Sequence, residues 1–217
     1  MALLAFDVYG TLIDPLSMEA ALAEYFGKNA AQAAALWRQK QLEYSFRRAA
    51  MKAYENFDVC TTQALDYTCR SFGVTLDHDA LLAQYRRLPA YPGTGAALAR
   101  IAARGDRLAA FSNGTEKSVR ALLEHAGLLG RFEAIVSVDE ARSFKPDPAV
   151  YEFLARRLSS REIWMVSSNP FDVIGAKSAG LRAVWLRRDA NAVFDPWGLS
   201  ADATVAGLEE LAEAELG

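Results

Sequence analysis

The chain has 217 residues, 52% hydrophobic and 11% aromatic, enough apolar mass to bury a sizeable core in one globular domain with a subdomain. A formal net charge of -3 excludes a general attraction to nucleic acid or anionic membrane, and the arginine pairs at 47–48, 86–87 and 187–188 are scattered like solvated helix faces. Cys60 and Cys69 have no further Cys or His pair at ligand spacing, which argues against a disulfide framework or a zinc site and for buried thiols in a reducing cytoplasm.

In chain order, the first apolar run of strand length is "ALLAFDV", ending at Asp7 and followed by "YGT". No run reaches the roughly 18 uncharged apolar residues of a membrane span, and "MALLAFDVYG" lacks the basic start of a signal peptide. A cytoplasmic protein with no membrane partner is expected. Residues 15–90 carry almost no strand signal but helical patterns in "EAALAEYFG", "AQAAALWRQKQLEYSFRRAAMKAYENF", "TTQALDYTCRSFG" and "DHDALLAQYRRL". Pro92 and Gly93 in "PAYPGTGAAL" mark the exit from this helical stretch and open the next helix. Then "RLAAFSN", "EAIVSVD", "EIWMVSSN" and "LRAVWLR" alternate with amphipathic helices such as "EKSVRALLEHAGL" and "AVYEFLARRL". The pattern predicts an α/β fold: a Rossmann-like, doubly wound parallel sheet with an inserted all-helical cap. The expected division is residues 1–14 and 91–217 for the core and 15–90 for the cap.

Ligands of open α/β sheets bind beyond the carboxyl ends of the strands. Those ends carry Asp7; Ser112, Asn113 and Gly114; Lys145 in "SFKPDP"; and Ser167, Ser168 and Asn169 with Asp172 close behind. Taken singly, Asp7 is a turn residue, Asn113 part of a helix N-cap, Lys145 a surface lysine and Asp172 a helix cap. Together on one rim they form a candidate site. Gly93-x-Gly95 lacks the third glycine and the downstream acid of a dinucleotide fingerprint, and His78 and His125 have no partner, so no chemistry is assigned to them.

The motifs "DVYGT", "SNG", "KP" and "SSNPFDVIGA", in this order, resemble the four motifs of the haloacid dehalogenase superfamily, over nearly the whole chain. With "LWRQKQLEYSF" in the cap, "FSNG", "FKPDPAVY" and "VSSNPFD" are similar to the type II L-2-haloacid dehalogenases. Most superfamily members are magnesium-dependent phosphatases with a second Asp two places after the nucleophile and an acid at the start of the fourth motif. Here those places hold Tyr9 and Ser168.

An acid two residues after the nucleophile protonates a leaving alkoxide, and magnesium needs several oxygen ligands, carboxylates prominent among them. A halide needs no proton, and a monoanionic substrate can be held by fixed donors and cations. One carboxylate is then sufficient if it attacks carbon. No metal or other cofactor is expected.

The resemblance implies hydrolysis of short L-2-haloacids to D-2-hydroxyacids through an ester on Asp7. Arg38, which alone reads as an arginine lying along a helix surface, becomes the expected halide ligand, with Asn113 and Phe171 in the same cradle. Ser112 and backbone amides after Asp7, with Asn113 nearby, are expected to hold the substrate carboxylate. Tyr9, Leu12 and Tyr151 are counted among the substrate-binding residues. Lys145 is expected to keep Asp7 ionised. Asp172 either activates the water that hydrolyses the ester, with Ser167 and Asn169 orienting it, or only orients Lys145; Thr11 and Tyr151 order this shell. The two acids Asp7 and Asp172 balance Lys145 and Arg38, leaving room for an anionic substrate. Two other readings are a magnesium-dependent phosphatase of a small metabolite and a non-catalytic ligand-binding homologue. A homodimer through apolar cap surface is a further suggestion of the resemblance.

Overall fold

A computed structural model describes residues 1–216. Six parallel strands form one sheet in the order β3-β2-β1-β4-β5-β6: β1 Leu3–Asp7, β2 Arg107–Ser112, β3 Ala134–Ser137, β4 Ile163–Ser167, β5 Arg182–Leu186 and β6 Ala203–Val205. β1 is fully buried and central, paired on one side with β2 and on the other with β4. The strand order reverses beside β1, the point at which such sheets form their crevice. Asp7, the last residue of β1, is aligned with Phe111 of β2. β6, a three-residue edge strand, is too short to give a pattern that sequence reading could separate from a loop.

Five α-helices stand between β1 and β2, and the first four form a helical layer: α1 Glu19–Phe26, α2 Ala30–Met51, α3 Phe57–Phe72 and α4 His78–Tyr85. They match the four expected patterns with one difference. The second pattern runs to Phe57, but α2 stops at Met51, where Lys52 turns left-handed with φ 54°. Asn56 then begins α3, its side chain accepting from the Val59 amide. The remaining helices are α5 Thr94–Ala103, α6 Glu116–His125, α7 Pro148–Arg157, α8 Pro170–Ser178 and the short α9 Leu208–Leu211.

The chain leaves and re-enters the sheet region through two segments that pair with each other. Asp14 donates its amide to Pro89 O at 3.0 Å and Tyr91 to Leu12 O at 2.9 Å, beside an antiparallel bridge between Ile13 and Ala90. One apolar cluster runs from β1, through Leu12 and Ile13, to Leu22, Trp37 and Leu65 of the four helices. The helical layer is therefore fused to the sheet by burial at this pivot. Both cysteines are free and buried, and burial pushes the Cys60 thiol up to about 11. Among the described residues no helix is long and apolar enough to cross a membrane.

Candidate active site at the end of the first strand

Asp7 is 6% exposed, and its two carboxylate oxygens are used differently. Oδ2 accepts from Asn169 Nδ2 at 2.7 Å and Thr11 Oγ1 at 2.9 Å, with Ser167 Oγ at 3.5 Å. Oδ1 faces the ammonium of Lys145 at 3.1 Å. The turn after β1 sends the chain back under itself. Gly10 adopts φ 91°, in the left-handed region, and a Cβ there would meet the Asn169 side chain at 3.5 Å. That turn puts Thr11 behind the carboxylate.

Lys145 comes from the loop before α7 and is 1% exposed. Its amide donates to Asn113 Oδ1 at 3.0 Å, and its Nζ donates to Asp7, to Phe111 O at 2.9 Å and to Asp172 Oδ2 at 2.9 Å. One ammonium thus sits between two buried carboxylates, and its removal would leave both of them without a compensating charge. Asp172 lies in the first turn of α8, and its Oδ1 accepts from Tyr151 Oη at 2.7 Å. Tyr151 reaches it because residue 175 is glycine: a Cβ there would stand 2.5 Å from Tyr151 Oη. Burial pushes the Asp172 carboxyl above the ordinary carboxylate range, against the pull of Lys145 and with the push of Asp7. Burial also raises the Tyr151 hydroxyl, helped by Asp172, so it remains a donor.

A cavity of only about 10 Å³ lies over Asp7, walled by Tyr9, Asn113, Lys145, Asn169 and Phe171 from the sheet side and by Arg38, Leu42 and Phe57 from the helical layer. Arg38 Nη2 donates to Tyr9 O at 3.1 Å, while its Nη1 is buried without a partner. The Tyr9 ring stacks on Tyr85 with centroids 5.7 Å apart and leans on Phe57 at 5.9 Å. Burial raises its hydroxyl, with Tyr85 as the second cause.

The structure brings Asp7, Tyr9, Arg38, Asn113, Lys145, Asn169 and Phe171 to this cavity, and places Thr11, Ser167, Asp172 and Tyr151 directly behind it through the bonds just given. Two expectations differ. Leu12 is fully buried in the apolar cluster and is not a wall of the cavity, because the turn at Gly10 carries it away to the pivot. Ser112, also fully buried, accepts from the Gly114 amide at 3.1 Å. The N-cap of α6 is Thr115, not Asn113, which leaves the Asn113 amide to hold Lys145. Leu42 and Phe57 were not anticipated as walls. Leu42 follows Arg38 by one helical turn and could have been read from that spacing, whereas Phe57 carries no such signal.

Arg188 was also missed as part of the site, having been read with Arg187 as a solvated helix face. It follows β5, and its guanidinium donates to Gly10 O at 3.0 Å, Ser168 Oγ at 2.7 Å and Thr11 O, while stacking on Tyr91 at 3.9 Å. The donor set does not fit a divalent cation. Ser168 is held by Arg188, Tyr9 is packed between aromatic rings, and the ammonium of Lys145 is shared by the two acids. Among the described residues no group of three or more Asp, Glu, His or Cys side chains could hold a metal.

Residues 1–180 match the family described as haloacid dehalogenase-like hydrolases. Haloacetate dehalogenase H-2 of Moraxella sp. (strain B) is 40% identical over 93% of this chain and 92% of its own. The (S)-2-haloacid dehalogenase of Pseudomonas sp. (strain YL) is 39% identical over 97% of this chain and 92% of its own. The structure of the L-2-haloacid dehalogenase from Xanthobacter autotrophicus with chloropropionic acid covalently bound superposes with a TM-score of 0.89 at 33% identity, covering 98% of both chains. With a buried aspartate at the end of the central strand, the motifs in order and this degree of likeness along its length, the chain belongs to the haloacid dehalogenase-like hydrolase family.

Proposed function

We propose that the protein is an (S)-2-haloacid dehalogenase that converts short L-2-haloacids to D-2-hydroxyacids through an ester on Asp7, without a metal. The observation that carries the reading is the cavity itself. A lone carboxylate forms one wall, and a guanidinium with an unpartnered buried N–H forms another, on the opposite layer. An Asp7 oxygen bonds to C2 in line with the departing halogen, which takes the bonding electrons toward Arg38. The three donors on Oδ2 fix the carboxylate for that attack, a positional contribution that is large when reacting atoms are held at contact distance. Asn113 and Phe171 complete the halide cradle, and Lys145 offsets the negative charge that the substrate carboxylate brings to the site.

In the second step a water oxygen bonds to the carbonyl carbon of the Asp7 ester, and its proton goes to Asp172. The bond from that carbonyl carbon to the ester oxygen then breaks and Asp172 returns the proton to the departing oxygen, so the hydroxyacid keeps an oxygen that belonged to Asp7. Lys145 is the donor placed to stabilise the oxyanion, at roughly 3 kcal/mol per donor in measured cases. Residues 15–90 act as a cap that turns about the paired segments at 12–14 and 89–91, since the closed cavity is too small for a haloacid. A homodimer through the exposed Leu16, Tyr25, Met51 and Tyr67 of the cap, and a cytoplasmic location, belong to the same proposal.

A single turnover of 2-chloropropionate by excess enzyme in oxygen-18 water, with chelator present, tests the chemistry. The product hydroxyl should be unlabelled and the peptide containing Asp7 heavier by one labelled oxygen. Label in the product and none in the peptide would make Asp7 a general base instead. Phosphate release that depends on magnesium, with no halide release, would overturn the reading altogether.

A further inference from the structure

Phe171 lines two spaces. On one side is the cavity over Asp7, about 10 Å³; on the other is an apolar groove of about 840 Å³ along the seam between the helical layer and the sheet. The groove is walled by Phe46, Ala49 and Ala50 of α2, by Ile174 of α8 and by the exposed Trp197 of the loop before β6. Phe46 packs edge-on against Phe171, ring centroids 5.0 Å apart. A single pair of aromatic rings from opposite layers therefore separates the reacting groups from a space many times larger. A groove of this size has the volume and lining of a small-molecule site.

We propose that this groove is the subsite for the alkyl chain of 2-haloalkanoic acids too long for the cavity, with Phe171, braced by Phe46, as the gate between the two spaces. The inference rests on the haloacid reading of the site and adds the direction and length of the substrate's tail. Charge sets that direction. Asp147 and Asp195 also line the groove and would repel a carboxylate, whereas Lys145 and Arg38 line the cavity. The acid end is drawn inward and the tail is left in apolar surroundings.

Each methylene moved from water into such a groove strengthens binding about fourfold. The wild-type enzyme should therefore show kcat/KM rising from 2-bromopropionate to 2-bromooctanoate. Ala50→Trp, which fills the groove from an exposed position on α2, should lower kcat/KM for 2-bromooctanoate at least tenfold while leaving 2-bromopropionate within twofold, by the same per-methylene arithmetic. Phe46→Ala, which unbraces the gate, should favour the longer substrate by about threefold or more relative to the shorter.

Turnover of 2-bromopropionate with no activity on 2-bromooctanoate, or an equal loss on both in Ala50→Trp, would overturn the inference and leave the dehalogenase reading standing. Should neither substrate turn over, titration with unreactive octanoate and propionate decides the subsite separately. Tighter binding of octanoate that Ala50→Trp weakens supports the groove, and equal binding of the two acids sinks it.

Discussion

Arg188 ties together two loops that both grip the Asp7 carboxylate. Thr11 follows the turn whose carbonyls it holds, and Asn169 follows Ser168, whose hydroxyl it holds. Arg188→Met should lower kcat between about tenfold and a hundredfold, the penalty for slight misplacement of a reacting group, with KM little changed and Arg188→Lys recovering part of the loss. A variant with normal kcat and only a lower melting temperature would reduce Arg188 to scaffolding. Asp172 makes a pH prediction. Burial raises its carboxyl, and the base form is the one that takes the proton from water, so ester hydrolysis should be lost as pH falls through that raised value. The acid limb of the ester-hydrolysis rate in single turnovers should therefore lie above the usual carboxylate range and vanish in Asp172→Asn, where the step itself is slow. A limb at ordinary carboxylate pH would remove Asp172 as the base. Asp7 ends the first apolar run, and Lys145 and Asp172 lie in the segments that follow the third and fourth, on the rim where the fold rule expects ligands, so all three could be singled out from the sequence. Arg188 is not, because its partners lie far away in the chain and meet it only when β5 takes its place beside β4.

At the scale of elements, apolar periodicity found five of six strands and the order of the helices, since buried strands and amphipathic helices each impose a period on the sequence. It failed where a helix ends without Gly or Pro. The break after Met51 is made by Lys52 in a left-handed conformation, with its amide bonded to Ala49 O and Arg48 O. Lysine is strained there, and glycine is the usual occupant of such a C-terminal position. Lys52 is exposed, so Lys52→Gly should stabilise the protein by about 0.5–1 kcal/mol, raising Tm by about 1–3 °C with activity unchanged. A lower Tm in thermal unfolding would show that the turn after α2 depends on the lysine itself. The break matters to the site because it reorients the chain toward α3, whose first residue, Phe57, walls the cavity.

At the scale of the whole molecule, three polar contacts hold the helical layer down on the sheet: Arg38 to Tyr9 O, Ser118 Oγ to Asp58 at 2.9 Å, and Tyr54 to Asp139. All three would part in the proposed opening of the cap, and the bonds of Asp14 and Tyr91 need not. Hydrogen exchange reads this difference. The amides of Asp14 and Tyr91 should be as protected as those of β1, even under conditions where the cap opens often. Exchange there as fast as at the exposed ends of α4 would mean that the pivot itself comes apart. That the cavity is too small for a substrate unless the helices move was not legible in the sequence, because no residue pattern encodes a volume.

The pairing of residues 12–14 with 89–91 also has a consequence for how the family can vary. The chain departs from the sheet and returns to it at hydrogen-bonded neighbours, so everything between is a detour that begins and ends in the same place. Lengthening or reshaping α1–α4 leaves the register of β1 with β2 untouched, and with it the spacing of Asp7 and Lys145. Selection can therefore remodel the wall that meets the tail of a substrate while Asp7, Lys145 and Asp172 stay still, so that appetite for new halogenated compounds can drift as long as Arg38 on α2 keeps its place.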